Sequence, residues 1–199
     1  MGLPASGISG PVSTSDADLL TRDACTVARA LVGSTLLVDG VGGVIVETEA
    51  YAPDDPASHS FAGPTRRNRT MFGPAGRLYV YRSYGVHWCA NVVCGREGEG
   101  AAVLLRALQP VAGLEVMRAR RGLAEPRLLC SGPGRLTQAL GLTGAHDGSP
   151  LDAPPFELIL GHPAPVETGP RVGISRAQER PWRYALRGSA FVSRPRPRA

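Results

Sequence analysis

The sequence contains no lysine, since all 22 of its basic residues are arginines. This absence excludes catalysis through a lysine Schiff base, because no lysine amine is available as the nucleophile. The N-terminal amine remains, but residues 1–14 are rich in Gly, Pro and Ser and predict a disordered segment. A disordered end is a poor position for a catalytic nucleophile, so we expect no amine-based chemistry.

Cysteine pairs and long apolar runs are also missing. Cys25, Cys89, Cys94 and Cys130 form no CxxC pair, and the spacing of Cys89 and Cys94 is poor for a zinc site. We therefore predict free, buried thiols in a reducing compartment. No apolar segment reaches membrane-spanning length and no signal peptide is recognised, which predicts a cytoplasmic protein without a membrane partner.

The net charge is +5, but the charges are unevenly distributed. Residues 1–60 contain two Arg and eight acidic residues, whereas residues 61–106 contain seven Arg and two acidic residues. Residues 171–199 contain eight Arg and a single acid, Glu179, and residues 194–199 form a basic tail. Two basic zones indicate either a one-sided positive surface for nucleic acid or an ordinary solvated basic surface.

Strand and helix signals fall in separate blocks of the chain. A helix is predicted from Ser15 to Gly33 with an interruption near residues 21–23, followed later by helices at 110–122 and 133–140. The DGVGG segment, residues 39–43, is predicted as a turn. The predicted strands are 35–38, 44–51, 76–82, 86–93, 101–108 and 156–160. This order favours an α+β fold with an antiparallel sheet, as one domain over residues 15–193.

The most informative block, residues 44–106, is dense in carboxylates, aromatic rings and arginines. Strand alternation places Glu47, Glu49 and Tyr51 on one face of their strand. The same alternation groups Tyr79 with Tyr81, and His87 with Cys89 and Asn91, while Leu78, Val80, Val86 and Trp88 pack elsewhere. The phenolic and polar sets are therefore expected to converge on a pocket.

Such a pocket has the groups that excision of an alkylated DNA base requires. A damaged base must leave the duplex, and a tip residue such as Tyr84, beside Gly85, is able to fill the gap. Alkylation makes a purine cationic, and the faces of Tyr and His rings attract a cation. One Glu suffices to activate water, while Arg67, Arg69 and Arg106 are candidates for phosphate contacts. A metal site that combines Glu with His59 and His87 is an alternative.

The motifs resemble those of the alkyladenine (3-methyladenine) DNA glycosylase family, of the N-methylpurine type. The matching blocks occur in the family's order and cover residues 19–193. They are VETEAY (46–51), His59-Ser60, RNR with MFGP (67–74), LYVYRSYG (78–85), Cys89-x-Asn91, VLLRAL (103–108), LCSGP (129–133), PRVGI (170–174) and PWRYALRGSAFVS (181–193).

The resemblance implies a role for each matching residue. Glu49 would be the general base, and Arg106 would hold the water or the adjoining sugar-phosphate. Tyr51 and His59 would form one wall of the base pocket and Tyr81 the other. The remaining assignments are Asn91 at the pocket floor against the amine of guanine, Tyr84 as the intercalating residue, and Thr65 and Arg67 as backbone contacts.

The resemblance also implies the overall architecture and partners. It implies a single α+β domain around a curved, mainly antiparallel sheet with surrounding helices and a protruding hairpin that inserts into DNA. The enzyme would be monofunctional, monomeric and free of metal and other cofactors, and would act on double-stranded DNA with alkylated bases. Two other hypotheses stay open: a non-enzymatic binder of damaged DNA, and a sugar hydrolase that pairs Glu47 with Glu49.

Overall fold

In this computed structural model, the described residues are 18–195. The predicted disordered segment 1–14, the helix start at Ser15 and most of the basic tail lie outside them. The helices are α1 (Ala24–Leu31), α2 (Leu114–Arg121), α3 (Pro126–Leu129) and α4 (Pro133–Leu140). The strands are β1 (Thr35–Val38), β2 (Val41–Tyr51), β3 (Leu78–Ser83), β4 (His87–Cys94), β5 (Ala101–Ala112), β6 (Phe156–Ile159), β7 (Val166–Gly169) and β8 (Arg183–Leu186). Two short 3-10 helices span Arg69–Phe72 and Gly144–His146.

All described strand pairs are antiparallel and form one curled sheet in the order β3-β4-β5-β2-β1-β6. The long strand β2 is central, because it pairs with β5 on one side and with β1 and then β8 on the other. Register shifts around Glu47 bend β2 in its middle, as β-bulges do. The α+β class with a curved antiparallel sheet is therefore confirmed.

The first hairpin is tighter than the sequence suggests. The turn consists of Asp39 and Gly40 alone, both with positive φ, whereas Gly42 and Gly43 belong to β2. A Cβ on Gly42 would lie 1.9 Å from the carbonyl oxygen of Leu36, and one on Gly43 would lie 2.0 Å from that of Gln109. These two glycines are therefore required for close strand approach, and the prediction of a five-residue turn was wrong.

The predicted helix start at Pro110 was also wrong. Pro110 lies within β5 opposite Gly43, at a register shift where a missing backbone N–H is tolerated. The helix begins four residues later, at Leu114, after Gly113 turns the chain with a φ of 68°. Its predicted end is confirmed, because Gly122 caps α2 in the left-handed conformation.

Helix α1 covers one face of the sheet and the predicted interruption before it is confirmed. The Asp23 side chain accepts a hydrogen bond from the Thr26 amide and starts the helix. Val27 and Leu31 are fully buried in the main core, and the Thr48 hydroxyl donates to the Ala28 carbonyl at 2.8 Å. This packing fixes the face of β2 that carries Thr48 and leaves Glu47 and Glu49 on the other face.

Strands β3 and β4 form the predicted hairpin at one edge of the sheet. Leu78, Val80 and Ala90 face the core, while Tyr79, Tyr81 and Cys89 face the opposite side, as alternation predicts. Val86 is an exception, because it lies in the turn before β4 and is 76% exposed. The outer edge of β3 is covered, since the Val80 amide donates to Asp147 at 2.9 Å and the Leu78 amide to the Ser149 carbonyl at 2.8 Å.

Candidate active site

A cavity of about 780 Å³ opens beside the β3–β4 hairpin. Its walls come from the end of β2, the turn that follows it, the hairpin, β5, and the loop before β8. Tyr51, His59, Arg67, Tyr81, Tyr84, Asn91 and Arg106 all contribute to its lining. The fold thus brings together seven of the nine residues that the motifs single out.

Glu49 lies behind this lining, with its side chain fully buried. One carboxylate oxygen accepts from the Val172 amide at 2.7 Å and from Arg106 Nη1 at 3.1 Å. The other accepts from the Tyr51 hydroxyl at 2.9 Å. Tyr51, Arg106 and Val172 each line the cavity, so all three hydrogen-bond donors to Glu49 belong to residues of the cavity wall.

Glu47 has a different environment, although it lies two residues earlier on the same face. Its Oε1 accepts from Arg106 Nε at 2.9 Å, Arg183 Nε at 2.6 Å and the Ser193 hydroxyl at 3.0 Å, and its Oε2 accepts from the Ser193 amide at 2.6 Å. Burial raises the pKa of Glu47, but Arg106, Arg183 and the Ser193 amide outweigh it and lower the pKa overall. Neither Arg183 nor Ser193 lines the cavity, which points to a structural carboxylate.

Arg106 connects the two carboxylates. It is 4% exposed, and its three guanidinium nitrogens contact three different groups, on Glu47, Glu49 and Ser193. Burial disfavours its charge, but Glu49 and Glu47 outweigh that effect and raise its pKa. A buried guanidinium between two carboxylates stays charged and holds both in place.

One aromatic wall consists of His59, Tyr79 and Tyr81. His59 and Tyr81 meet edge to face with their ring centroids 4.5 Å apart, and Tyr79 stacks on Tyr81 at 5.5 Å. The Nδ1 atom of His59 hydrogen-bonds the Tyr79 hydroxyl at 3.1 Å. Burial and the nearby Arg67 lower the pKa of His59, and burial raises the pKa of Tyr79 to about 12, so both rings are uncharged at neutral pH.

Tyr51 belongs to a separate wall. One of its faces is covered by the guanidinium of Arg171, 4.7 Å from the ring centroid. Arg171 is buried in an ion pair with Asp55 and donates to the Ala50 carbonyl at 2.9 Å. Because His59 contacts Tyr81 directly, a flat ligand does not fit between them, so these two rings do not form the opposite walls that the resemblance implies. Tyr51 lines the same cavity.

Asn91 is buried at the base of the cavity on β4. Its amide nitrogen donates to the Tyr79 carbonyl at 3.1 Å, which fixes the side chain against the aromatic wall.

The cysteines are free thiols, with Cys89, Cys94 and Cys130 buried and Cys25 half-buried. Burial raises the pKa of the Cys89 thiol, which also lines the cavity.

Tyr84, unlike the buried Asn91, is almost fully exposed. It occupies the hairpin tip, is 89% exposed, and adopts a φ of 50° that is uncommon for a non-glycine residue. Gly85 follows in the same left-handed region. The turn thus presents a large apolar ring to solvent at the mouth of the cavity.

The arginine-rich turn is built around Asn68, which sequence reasoning did not single out. Asn68 is buried, donates to the carbonyls of His59 and Gly63, and accepts from the amide and hydroxyl of Thr65. The Thr65 hydroxyl is therefore engaged inside the turn. Arg67 remains exposed at the cavity, 5.9 Å from the Tyr81 ring centroid.

The sequence did not predict the contacts that the loop before β8 and the segment after β8 make with the site. Val172, Arg171, Arg183 and Ser193 all contact the two-carboxylate network or its wall. Their motifs, PRVGI and PWRYALRGSAFVS, signal their importance, but partners more than 100 residues away leave no local pattern.

The described residues, 18–195, contain no group of three or more His, Cys, Asp or Glu side chains arranged to hold a metal ion. Within the same residues, none of the helices has the length and apolar character needed to cross a membrane.

Residues 18–190 match the methylpurine-DNA glycosylase family. The chain belongs to this family and is a DNA glycosylase, an enzyme of DNA repair that hydrolyses N-glycosidic bonds. The resemblance predicted from the motifs is confirmed.

Curated relatives narrow the class. A protein of Nitrosospira multiformis is 62% identical over 170 residues, which cover 85% of this chain and 88% of the relative. One of Agrobacterium fabrum is 62% identical over 174 residues, or 87% and 89% of the two chains. One of Rhodopseudomonas palustris strain HaA2 is 58% identical over 194 residues, or 96% and 95%. All three are provisionally named 3-methyladenine DNA glycosylases, and the chain is of this glycosylase type.

Proposed function

We propose that the protein is a monofunctional glycosylase that turns alkylated purines, 3-methyladenine among them, out of double-stranded DNA. It hydrolyses the N-glycosidic bond with a water molecule activated by Glu49 and leaves an abasic site. The observation that carries this proposal is the position of Glu49, a buried carboxylate whose three hydrogen-bond donors all line an aromatic cavity.

The cavity suits a flat, cationic base. The base lies between Tyr51 on one side and the His59–Tyr81 pair on the other. These rings are uncharged at neutral pH, so their faces attract a methylated purine by about 0.5–2 kcal/mol per contact and do not repel it. Asn91, held by the Tyr79 carbonyl, closes the floor and disfavours the exocyclic amine of guanine.

Glu49 has capacity for one more hydrogen bond, because a carboxylate accepts about four and three are in use. The attacking water takes this position. Since Glu49 is fully buried, the water enters between Tyr51, Arg106 and Val172, and a turn of the Tyr51 hydroxyl is the smallest movement that frees an oxygen. Glu49 takes one proton from the water as the water oxygen bonds to C1′ of the sugar. The C1′–N bond breaks, and its electron pair leaves with the cationic base, which departs neutral.

The hairpin tip and the basic turn hold the duplex. Tyr84 enters the space left by the extruded base, and Arg67, with the turn containing Thr65, contacts the phosphates. Because the sequence has no lysine, the abasic strand is left uncut after hydrolysis. The protein acts as a monomer.

One incubation tests the activity. Duplex DNA methylated with dimethyl sulfate is incubated with the protein, the free bases are separated by chromatography, and the DNA is then treated with alkali. We expect 3-methyladenine release and strand breaks only after alkali. Binding without base release would favour a non-enzymatic binder of damaged DNA, and breaks before alkali would contradict the monofunctional assignment.

A further inference from the structure

The orientation of Arg106 depends on a residue from the far end of the chain. Its Nε and Nη1 atoms contact Glu47 and Glu49, and its Nη2 donates to the Ser193 hydroxyl at 3.1 Å. The contacts of Nε and Nη1 leave Nη2 as the one guanidinium nitrogen still to be held. The contact with Ser193 holds it, so the plane of the guanidinium is fixed at all three nitrogens while Nη1 points to Glu49.

Ser193 is itself held by several groups. Its amide and hydroxyl donate to Glu47 at 2.6 and 3.0 Å, and its carbonyl accepts from Arg183 Nη2 at 3.2 Å. The same Arg183 nitrogen donates to the Pro195 carbonyl at 2.7 Å. Residues 193–195, which we call the C-terminal strap, are thus fastened to the floor of the site by β8.

The strap is buried at Ser193, the residue that contacts Arg106 and Glu47. Ser193 is 3% exposed, Arg106 4% and Arg183 1%, so water does not readily replace a missing partner. Ser193 lies beyond residue 190, where the family match ends, and it does not line the cavity. Its contacts reach the proposed reaction only through Arg106 and Glu47.

We propose that Ser193 is a positioning residue for glycosidic bond hydrolysis, because its hydroxyl sets the plane of the Arg106 guanidinium against Glu49. This inference rests on the proposed function, since it assigns the strap to the hydrolysis step. Ser193 is buried and does not line the cavity, so we expect it to affect the rate of the step and to leave DNA affinity unchanged.

The experiment compares Ser193→Ala and Ser193→Cys with the wild type in the full chain. The protein is in excess over methylated duplex DNA, and release of 3-methyladenine gives a first-order rate constant. Binding is measured with a duplex that carries a tetrahydrofuran abasic-site analogue. Ser189→Ala is the matched control, because the Ser189 hydroxyl accepts only a local hydrogen bond, from the Phe191 amide.

We expect Ser193→Ala to lower the rate constant by about tenfold or more, as small misplacements of catalytic groups do, with unchanged affinity for the abasic-site duplex. Cysteine fills the volume of serine but is a weak hydrogen-bonding group. Ser193→Cys should therefore fall toward the alanine variant, and Ser189→Ala should match the wild type.

Three results would overturn the inference. They are a wild-type rate constant in Ser193→Ala, a wild-type rate constant in Ser193→Cys, and a loss of DNA affinity that parallels the loss of rate. Partial misfolding does not obscure the result, because it lowers the fraction of active protein and leaves the first-order rate constant of folded molecules unchanged. A wild-type protein that releases no methylated base would instead refute the proposed function.

Discussion

The floor of the cavity and the tip of its hairpin are opposites. By the floor we mean Arg106, which lines the cavity, together with Glu47 and Glu49, which contact it from behind; all three are buried and bonded to groups of the chain. At the tip, Tyr84 is 89% exposed and its ring contacts little of the protein. The floor is assembled before any DNA arrives, whereas the ring at the tip gains its contacts only from a duplex.

This difference in burial suggests that the floor serves hydrolysis and the hairpin tip serves DNA binding. Preorganised charges at a buried floor act on the bond to be broken and need little rearrangement beyond the turn of the Tyr51 hydroxyl. An exposed ring on a strained turn contributes nothing to folding and is available for insertion. Substitutions at the floor should therefore change rate and stability, and substitutions at the tip should change binding.

The largest expected effect is at Glu49. Glu49→Gln removes the proposed base while Arg106 keeps its pairing with Glu47, so base release should fall by about 10²–10⁴-fold with abasic-site binding retained. Single-turnover release of 3-methyladenine measures it. Glu99→Gln, in the exposed loop after β4, is the control for loss of a carboxylate, and retained activity in Glu49→Gln would refute the assignment of the base.

Glu47→Gln should mainly affect stability. It leaves the buried Arg183 without its carboxylate, and loss of one partner of a buried ion pair costs about 3–5 kcal/mol in the free energy of unfolding. Urea denaturation at pH 7 measures it, with the half-exposed Glu167→Gln as a control that should cost about 0–1 kcal/mol.

The pH dependence of that deficit has a definite sign. The pKa of Glu47 is lower in the folded protein than its ordinary value of 4.5, so ionised Glu47 stabilises the fold fully above that value. The stabilisation is lost as the pH falls through the lower, folded-state pKa. The difference in the free energy of unfolding between wild type and Glu47→Gln should therefore narrow below pH 4.5.

If Glu47→Gln abolished base release without loss of stability, the alternative of a sugar hydrolase that pairs Glu47 with Glu49 would gain support.

Tyr84→Ala tests the other region. Loss of one stacked ring should weaken duplex binding by about 1–3 kcal/mol and slow excision, while the free energy of unfolding stays at the wild-type value. Titration of a labelled abasic-site duplex measures the binding. Val111→Ala removes another exposed apolar side chain, 52% exposed at the end of β5, and should bind like the wild type. An unchanged excision rate in Tyr84→Ala would argue against insertion.

Asn91 should give the smallest effect, on selectivity alone. Asn91→Ser leaves space for the amine of guanine, so release of guanine relative to 3-methyladenine should rise by up to about tenfold, the scale on which a pocket discriminates small groups. Chromatography of the bases released from one methylated duplex gives both rates. A constant ratio would show that another residue excludes guanine.

Local patterns predict the parts of the fold that local physics decides. Strand alternation predicts which side chains of β3 and β4 share a face, and Pro133 with Gly141 marks the bounds of α4. Pro110 and the DGVGG segment mislead, because close strand packing decides their conformation. Strands β7 (VETG) and β8 (RYAL) were missed, since they carry one and two large apolar side chains, against three in the equally short β1 (TLLV) and β6 (FELI).

The site, like the fold, has features that the sequence predicts and features that it does not. The motifs identify the residues that line the cavity, and the resemblance orders them by role. The motifs do not reveal that His59 contacts Tyr81, or that Val172 and Ser193 reach β2 across more than 120 residues. Those contacts depend on how loops fold over the sheet, which no short spacing encodes.

The covered edge of β3 has a consequence for association between copies of the chain. The outward-facing groups alternate along this edge strand, at Leu78, Val80 and Arg82. Asp147 and Ser149, just after the second 3-10 helix, engage the first two, and Arg67 donates to the Arg82 carbonyl at 3.1 Å. An edge strand with most of its outward hydrogen-bonding groups occupied offers a poor template for strand addition. The hairpin can therefore project an exposed aromatic ring at high protein concentration without adding itself to the sheet of a neighbour.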